Sequence, residues 1–123
     1  SNNSIINTSN GKIYAGGVYM KNGQIIDCEI CENRTEGSNK NDIYGGGVYI
    51  ENSYSSNVKI ENSYIHDNET SGYGGGLYVS TSNTNYVTDV INCRIENNLA
   101  GNYGGGVYMA YSVNLGCAFN SFP

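Results

Sequence analysis

The sequence predicts an all-β fold, a right-handed parallel β-helix (β-solenoid) of about four coils with a period of about 30 residues, and three observations carry that expectation. First, the segments YAGGVYM (Tyr14 to Met20), YGGGVYI (Tyr44 to Ile50), YGGGLYV (Tyr73 to Val79) and YGGGVYM (Tyr103 to Met109) start 30, 29 and 30 residues apart. Second, IDCEICEN (Ile26 to Asn33), ENSYIHDN (Glu61 to Asn68) and INCRIENN (Ile91 to Asn98) lie between them and share Ile-x-x-Asn at Ile30, Ile65 and Ile95. Third, the composition favours strand and turn over helix: 17 Gly and 12 Tyr on an Asn-rich and Ser-rich background, with one Pro and no Trp. A single coil cannot bury its own apolar face, whereas equivalent strands stacked about 4.8 Å apart can.

The 123 residues form one domain, with coils near 6–29, 30–64, 65–94 and 95–123. Ile6 precedes Tyr14 by eight residues, as Ile65 precedes Tyr73 and Ile95 precedes Tyr103, so Ile6 to Ser9 reads as a degenerate first copy. In the second coil Ile30 precedes Tyr44 by 14, which places a six-residue loop insertion at or near SNKNDI (Ser38 to Ile43). LGCAF (Leu115 to Phe119) begins a fifth copy, so the chain starts and stops at nearly the same phase.

Alternation of side chains along a strand turns Val18, Val48, Leu77 and Val107 inward with Met20, Ile50, Val79 and Met109, leaving Tyr19, Tyr49, Tyr78 and Tyr108 as an outward aromatic column. The same parity turns Ile26, Cys28 and Ile30 inward, and likewise Ile91, Cys93 and Ile95; Glu61 breaks the pattern, which suggests a bulge or register shift near Ile60. Gly16, Gly46, Gly75 and Gly105 face inward at a narrow corner. Gly46→Val is therefore expected to be worse than Gly47→Val, Gly47 facing out.

The net charge of −5, with six Lys and Arg scattered along the chain, leaves no basic stripe for a phosphate backbone, so nucleic acid is not an expected partner. No apolar run approaches the roughly 20 residues that cross a bilayer, so no membrane span is expected. The opening SNNSIINTSN lacks the basic and apolar regions of a signal peptide, which suits a mature form or an excised piece.

The pairing of GGG[VL]Y with Ile-x-x-Asn resembles the GGA[ILV] and FxxN repeats of polymorphic outer membrane proteins, and the glycine-rich repeats of the pectate-lyase-like β-helix superfamily. The resemblance runs from Ile6 to Phe119, with Gly in place of the usual Ala and Ile in place of the usual Phe. It implies an extracellular or cell-surface protein, an adhesin or cell-wall component, and says little about activity.

Cys28, Cys93 and Cys117 share one column, with Ser63 between. Cys28 and Cys93, two coils and so about 9.6 Å apart, exceed the ~7 Å reach of a disulfide, whereas Cys93 and Cys117 lie in adjacent coils. That pair is either a bridge or two small buried thiols filling a narrow column. No metal site is expected, because Cys28-x-x-Cys31 has no second pair, and Cys31 points away from Cys28. Asn33, Asn68 and Asn98 recur at one turn position, as an asparagine ladder would. Asn33 and Asn68 are also glycosylation sequons, as are Asn2 and Asn7, and an inward ladder Asn cannot carry a sugar, so the two readings compete.

The tyrosine column is either a strip for surface glycans or plain stacking between coils; Tyr14, Tyr44, Tyr73 and Tyr103 mark a second column. Catalysis, cofactors and metals are not expected: Asp27, Asp42, Asp67 and Asp89 fall on different phases, Arg34 and Arg94 are unmatched to them, and His66 beside Asp67 reads as a solvated turn pair. Uncapped sheet edges and matching end phases lead to self-association end to end into a filament, the alternative being an internal fragment of a longer surface adhesin. A carbohydrate-binding or polysaccharide-cleaving β-helix is the third reading.

Overall fold

Asparagine, aspartate and glycine take the left-handed backbone region more readily than other residues, and here they, with Ala15 and Glu32, do so at positions that repeat from coil to coil. One series is Ala15 (φ 61°), Gly45 (77°), Gly74 (70°) and Gly104 (72°); a second is Asp27 (55°), Asn62 (52°) and Asn92 (50°); a third is Glu32 (57°), Asp67 (53°) and Asn97 (54°). These corners break the chain into short strands. The structure, a computed structural model, describes residues 3–7, 11–52, 58–81, 88–110 and 113–119.

The first coil holds β1 (Ser4–Asn7), β2 (Ile13–Tyr14), β3 (Val18–Met20), β4 (Gln24–Ile26) and β5 (Glu29–Cys31). The second repeats it as β6 (Arg34–Gly37), β7 (Ile43–Tyr44), β8 (Val48–Asn52), β9 (Val58–Glu61) and β10 (Tyr64–His66). Then come β11 (Glu69–Thr70), β12 (Leu77–Thr81), the long β13 (Thr88–Glu96), β14 (Leu99–Ala100), β15 (Val107–Ala110) and β16 (Val113–Phe119). Every pairing is parallel and joins one coil to the next, in the orders β1-β6-β11-β14, β3-β8-β12-β15 and β4-β9-β13-β16, with β5 and β10 completing the last sheet. The fold is thus a parallel β-solenoid. Ser4 aligns with Arg34, Arg34 with Glu69 and Glu69 with Leu99, so three turns close and β14, β15 and β16 carry part of a fourth. The expected four coils are three closed turns plus that part.

The first copy of the turn motif is not Ile6 to Ser9. Ile6 aligns with Glu36, and it is Asn3 that takes the ladder position beneath Asn33. Asn3 precedes Tyr14 by 11 residues and Asn33 precedes Tyr44 by 11, whereas Asn68 and Asn98 precede Tyr73 and Tyr103 by five. The insertion expected in the second coil alone is therefore present in the first as well, and Ile13 pairs with Ile43 beyond it. In the second coil it forms a 3₁₀ turn, Lys40–Asp42, capped by the Asn39 side chain, which accepts from Asn41 N at 3.1 Å.

The core is a set of aliphatic columns: Ile30, Ile65 and Ile95; Ile25, Ile60 and Val90; Val48 and Leu77; Ile50 and Val79. Ile26 and Ile91, expected inward, are exposed, and Ile25 and Val90 are buried instead. The reason is the left-handed residue at Asp27, Asn62 and Asn92, which turns the chain at a corner and breaks alternation between the strand before it and the one after. Glu61 accordingly breaks nothing, since Ile26, Glu61 and Ile91 form one aligned outward column. Past the corner, Cys28, Ser63 and Cys93 do share a column, each bonded back to the carbonyl two residues earlier, at 3.2, 2.9 and 3.2 Å. Ser63 and Cys93 are buried, while Cys28, in the end coil, is exposed. Gly47, expected to face out, is buried: a Cβ there would stand 2.9 Å from the Asn68 side chain.

Candidate functional site

Three features of the stack repeat often enough to build chemistry: the asparagine ladder, the tyrosine columns, and an outward polar face where β5, β10 and β13 lie side by side.

Asn33, Asn68 and Asn98 are each 1% exposed. Asn68 Oδ1 accepts from Asn33 N (3.0 Å) and Nδ2 (2.9 Å), and Asn98 Oδ1 accepts from Asn68 N (2.9 Å) and Nδ2 (3.0 Å). Asn3 donates in the same sense to Asn33 Oδ1. Both sequon amides, Asn33 Nδ2 and Asn68 Nδ2, are thus donors inside the stack, with no room for a sugar. Asn2 and the side chain of Asn7 lie outside the described residues.

Tyr19, Tyr49, Tyr78 and Tyr108 do form a column outside the core, their rings stacked 5.1, 5.1 and 5.0 Å apart. Tyr14, Tyr44, Tyr73 and Tyr103 stack beside them, at 5.5, 5.9 and 6.1 Å, and cover them edge-on, which leaves Tyr49 only 7% exposed. Burial raises the Tyr78 hydroxyl to about 12; burial and then the Glu51 acceptor raise that of Tyr19 to about 12. Burial raises Tyr49 too. Each inner ring has its faces against its neighbours above and below, so only ring edges and the two end faces meet solvent.

On the polar face the register puts Glu29, Tyr64 and Arg94 in one row and Cys31, His66 and Glu96 in the next, on the side opposite Ile30, Ile65 and Ile95. His66 Nδ1 lies 2.6 Å from Asp67 Oδ2, and Nε2 lies 2.7 Å from Glu29 Oε1. Its ring stacks on Tyr64, 3.9 Å between centroids, and its side chain is only 14% exposed. Burial pulls the imidazole pKa down, but the two carboxylates together outweigh it and the pKa is raised. Tyr64 donates to Glu96, which also accepts from Arg94 Nε at 3.0 Å; these bonds, the tyrosine's first, hold the Glu96 carboxyl below its ordinary value. Arg94 lies over the Tyr64 ring.

His66 and Asp67 pair at the turn with Asp67 exposed, as expected, and the coil below adds Glu29 as a second partner of the largely covered imidazole. Glu29, Cys31 and His66 each present a ligand atom, all within 4.8 Å of one another. The signal for this was in the sequence: superposing IDCEICEN on ENSYIHDN sets Glu29 against Tyr64 and Cys31 against His66. Cys93 is a buried thiol that donates to Ile91 O and Ile60 O, at 3.2 and 3.6 Å, the narrow-column reading. Cys117 falls opposite the irregularity between Ile91 and Arg94, and its side chain lies outside the described residues. No described helix is long and apolar enough to cross a membrane. Compared with known proteins, the chain matches no family model, no curated protein and no solved structure.

Proposed function

We propose that this solenoid is a structural, non-catalytic module of an extracellular or cell-surface assembly, with copies stacked head to tail into a filament. The observation that carries the reading is where apolar surface remains exposed. Ile5, Tyr14 and Tyr19 in the first coil and Tyr103 and Met109 in the last are exposed at positions whose counterparts in the middle coils are buried or half-buried; Met109 is 47% exposed while its partners Val79 and Ile50 one and two coils away are fully buried. A further parallel coil at either end would cover these groups as the middle coils cover theirs. The asparagine ladder has one polarity throughout, each rung donating toward the later coil, and a head-to-tail contact continues that polarity where a head-to-head one reverses it.

The same exposed ends suit a second occupant, further coils of a longer surface adhesin, as the resemblance to polymorphic outer membrane repeats implies; flanking coding sequence distinguishes the two. Glycan binding is less favoured, since a sugar ring packs on an aromatic face and the stacked tyrosines spend theirs on one another. Light scattering over a concentration series, with electron microscopy of the same samples, tests the filament. Particles that lengthen along one axis as concentration rises are expected. A strictly monomeric species at high concentration without fibres overturns the reading.

A further inference from the structure

The group Glu29, Cys31 and His66 offers three different donor atoms, and the structure holds them together without a reason in the core, since all three project from the outer side of the sheet. Glu29 and Cys31 are two residues apart on β5 and so share a face; His66 aligns with Cys31 on the adjacent parallel strand β10. We propose that these side chains bind one divalent first-row metal ion of zinc's class, through a Glu29 carboxylate oxygen, the Cys31 thiolate and His66 Nε2, with a fourth position open to solvent.

Four lines of chemistry point the same way. The donor set is sulfur, nitrogen and oxygen, which suits borderline ions of zinc's class and disfavours calcium and magnesium, which take oxygen alone. Asp67 Oδ2 stands 2.6 Å from His66 Nδ1, so it holds the proton on Nδ1 and leaves the Nε2 lone pair for a metal, the carboxylate–histidine arrangement that orients imidazole ligands. The Tyr64 ring, stacked on His66, fixes the plane of the imidazole. Finally, Nε2 and Glu29 Oε1 already converge, at 2.7 Å, on the space a shared ion would enter. A metal with bonds of about 2.0 to 2.3 Å needs its ligands roughly 3.3 to 3.8 Å apart, so Glu29, an exposed side chain at the edge of the sheet, draws back by about half an ångström or more. Glu96, which aligns with His66 from the other side, is engaged by Tyr64 and Arg94 and does not compete for the ion.

The proton balance follows. Cys31 gives up its thiol proton to solvent, and His66 gives up the Nε2 proton where it carries one, so binding releases up to two protons and weakens on acidification. The site needs no second chain and is independent of the filament.

Zinc titrated by calorimetry into the chelator-treated full chain at neutral pH should saturate at one ion per chain. Cobalt(II) in its place should give a thiolate-to-metal charge-transfer band in the near ultraviolet. Cys31→Ser should abolish that band and weaken zinc at least tenfold. Asp67→Asn, a positioning change at a left-handed residue that Asn tolerates, should weaken zinc by about 10- to 100-fold and keep the band. Cys28→Ser, at the exposed thiol elsewhere, should change neither. No zinc binding by the unmutated chain, no cobalt band, or a band that survives Cys31→Ser with circular dichroism unchanged overturns the proposal.

Discussion

Asn68 occupies the middle of the ladder, and its amide serves four bonds at once: it accepts two from Asn33 and donates to Ile30 O and Asn98 Oδ1. Replacing it with Ala removes one side chain but strands the Asn33 N–H and Nδ2 in a place water does not reach. Each buried group left unpaired costs about 1 to 3 kcal/mol, so Asn68→Ala should destabilise by about 3 to 5 kcal/mol in total, measured by urea denaturation. A loss under about 1 kcal/mol would show that the rungs are not the coupled network the geometry describes. The ladder was legible at Asn33, Asn68 and Asn98 because the flanking residues repeat; Asn3 was not, because the position that carries isoleucine in the others falls ahead of Ser1 and a coincidental spacing made Ile6 look like it. The Glu29–His66 contact was missed for a different reason: its partners lie 37 residues apart and meet only when IDCEICEN and ENSYIHDN are set in register and read across the coils.

Strand and corner are set by different residues. Aliphatic columns fix the strands, and alternation identified Val48, Ile50, Leu77 and Val79 correctly because YGGGVY runs into an uninterrupted strand. It failed at Ile26 and Ile91 because the corner residue between the two strands was read as one more strand position. The glycines belong to a third kind of element, where coils approach too closely for any side chain. A Cβ on Gly46 would collide with Gly75 O and stand 2.8 Å from the Glu69 carbonyl, all backbone; on Gly47 it would meet Gly76 O at 2.7 Å and the Asn68 amide at 2.9 Å, of which the latter is a side chain. Both positions thus resist substitution, and the difference between them is smaller than inward against outward would give. Gly47→Ala should cost about 1 to 3 kcal/mol and Gly46→Ala more, since backbone on every side cannot yield. Thermal melts with equal midpoints for the two variants contradict this ordering.

At the scale of the whole stack, Tyr19, Tyr49 and Tyr78 tie three successive coils to one pH dependence. Tyr78 and Tyr19 have their hydroxyls raised from 10.0 to about 12, by burial first and then by neighbouring tyrosines or Glu51. A pKa raised in the folded state means the unfolded chain gives up the proton first. The stabilisation is therefore complete below the unfolded value near 10, and is lost as pH rises from there through about 12. On titration to alkaline pH the part of the phenolate absorbance due to Tyr19, Tyr49 and Tyr78 should lag until the β-sheet circular dichroism collapses, the two signals then rising and falling together. Phenolate absorbance from all the tyrosines complete near the unfolded value with the sheet signal intact would mean that these three rings are solvated and not stacked. Assembly adds a second readout from the same titration. If copies stack end to end, the contact covers the outer faces of the terminal rings, and the unfolding pH must climb with protein concentration, because association stabilises the folded form by mass action. A solenoid whose ends stay bare shows one midpoint at every concentration.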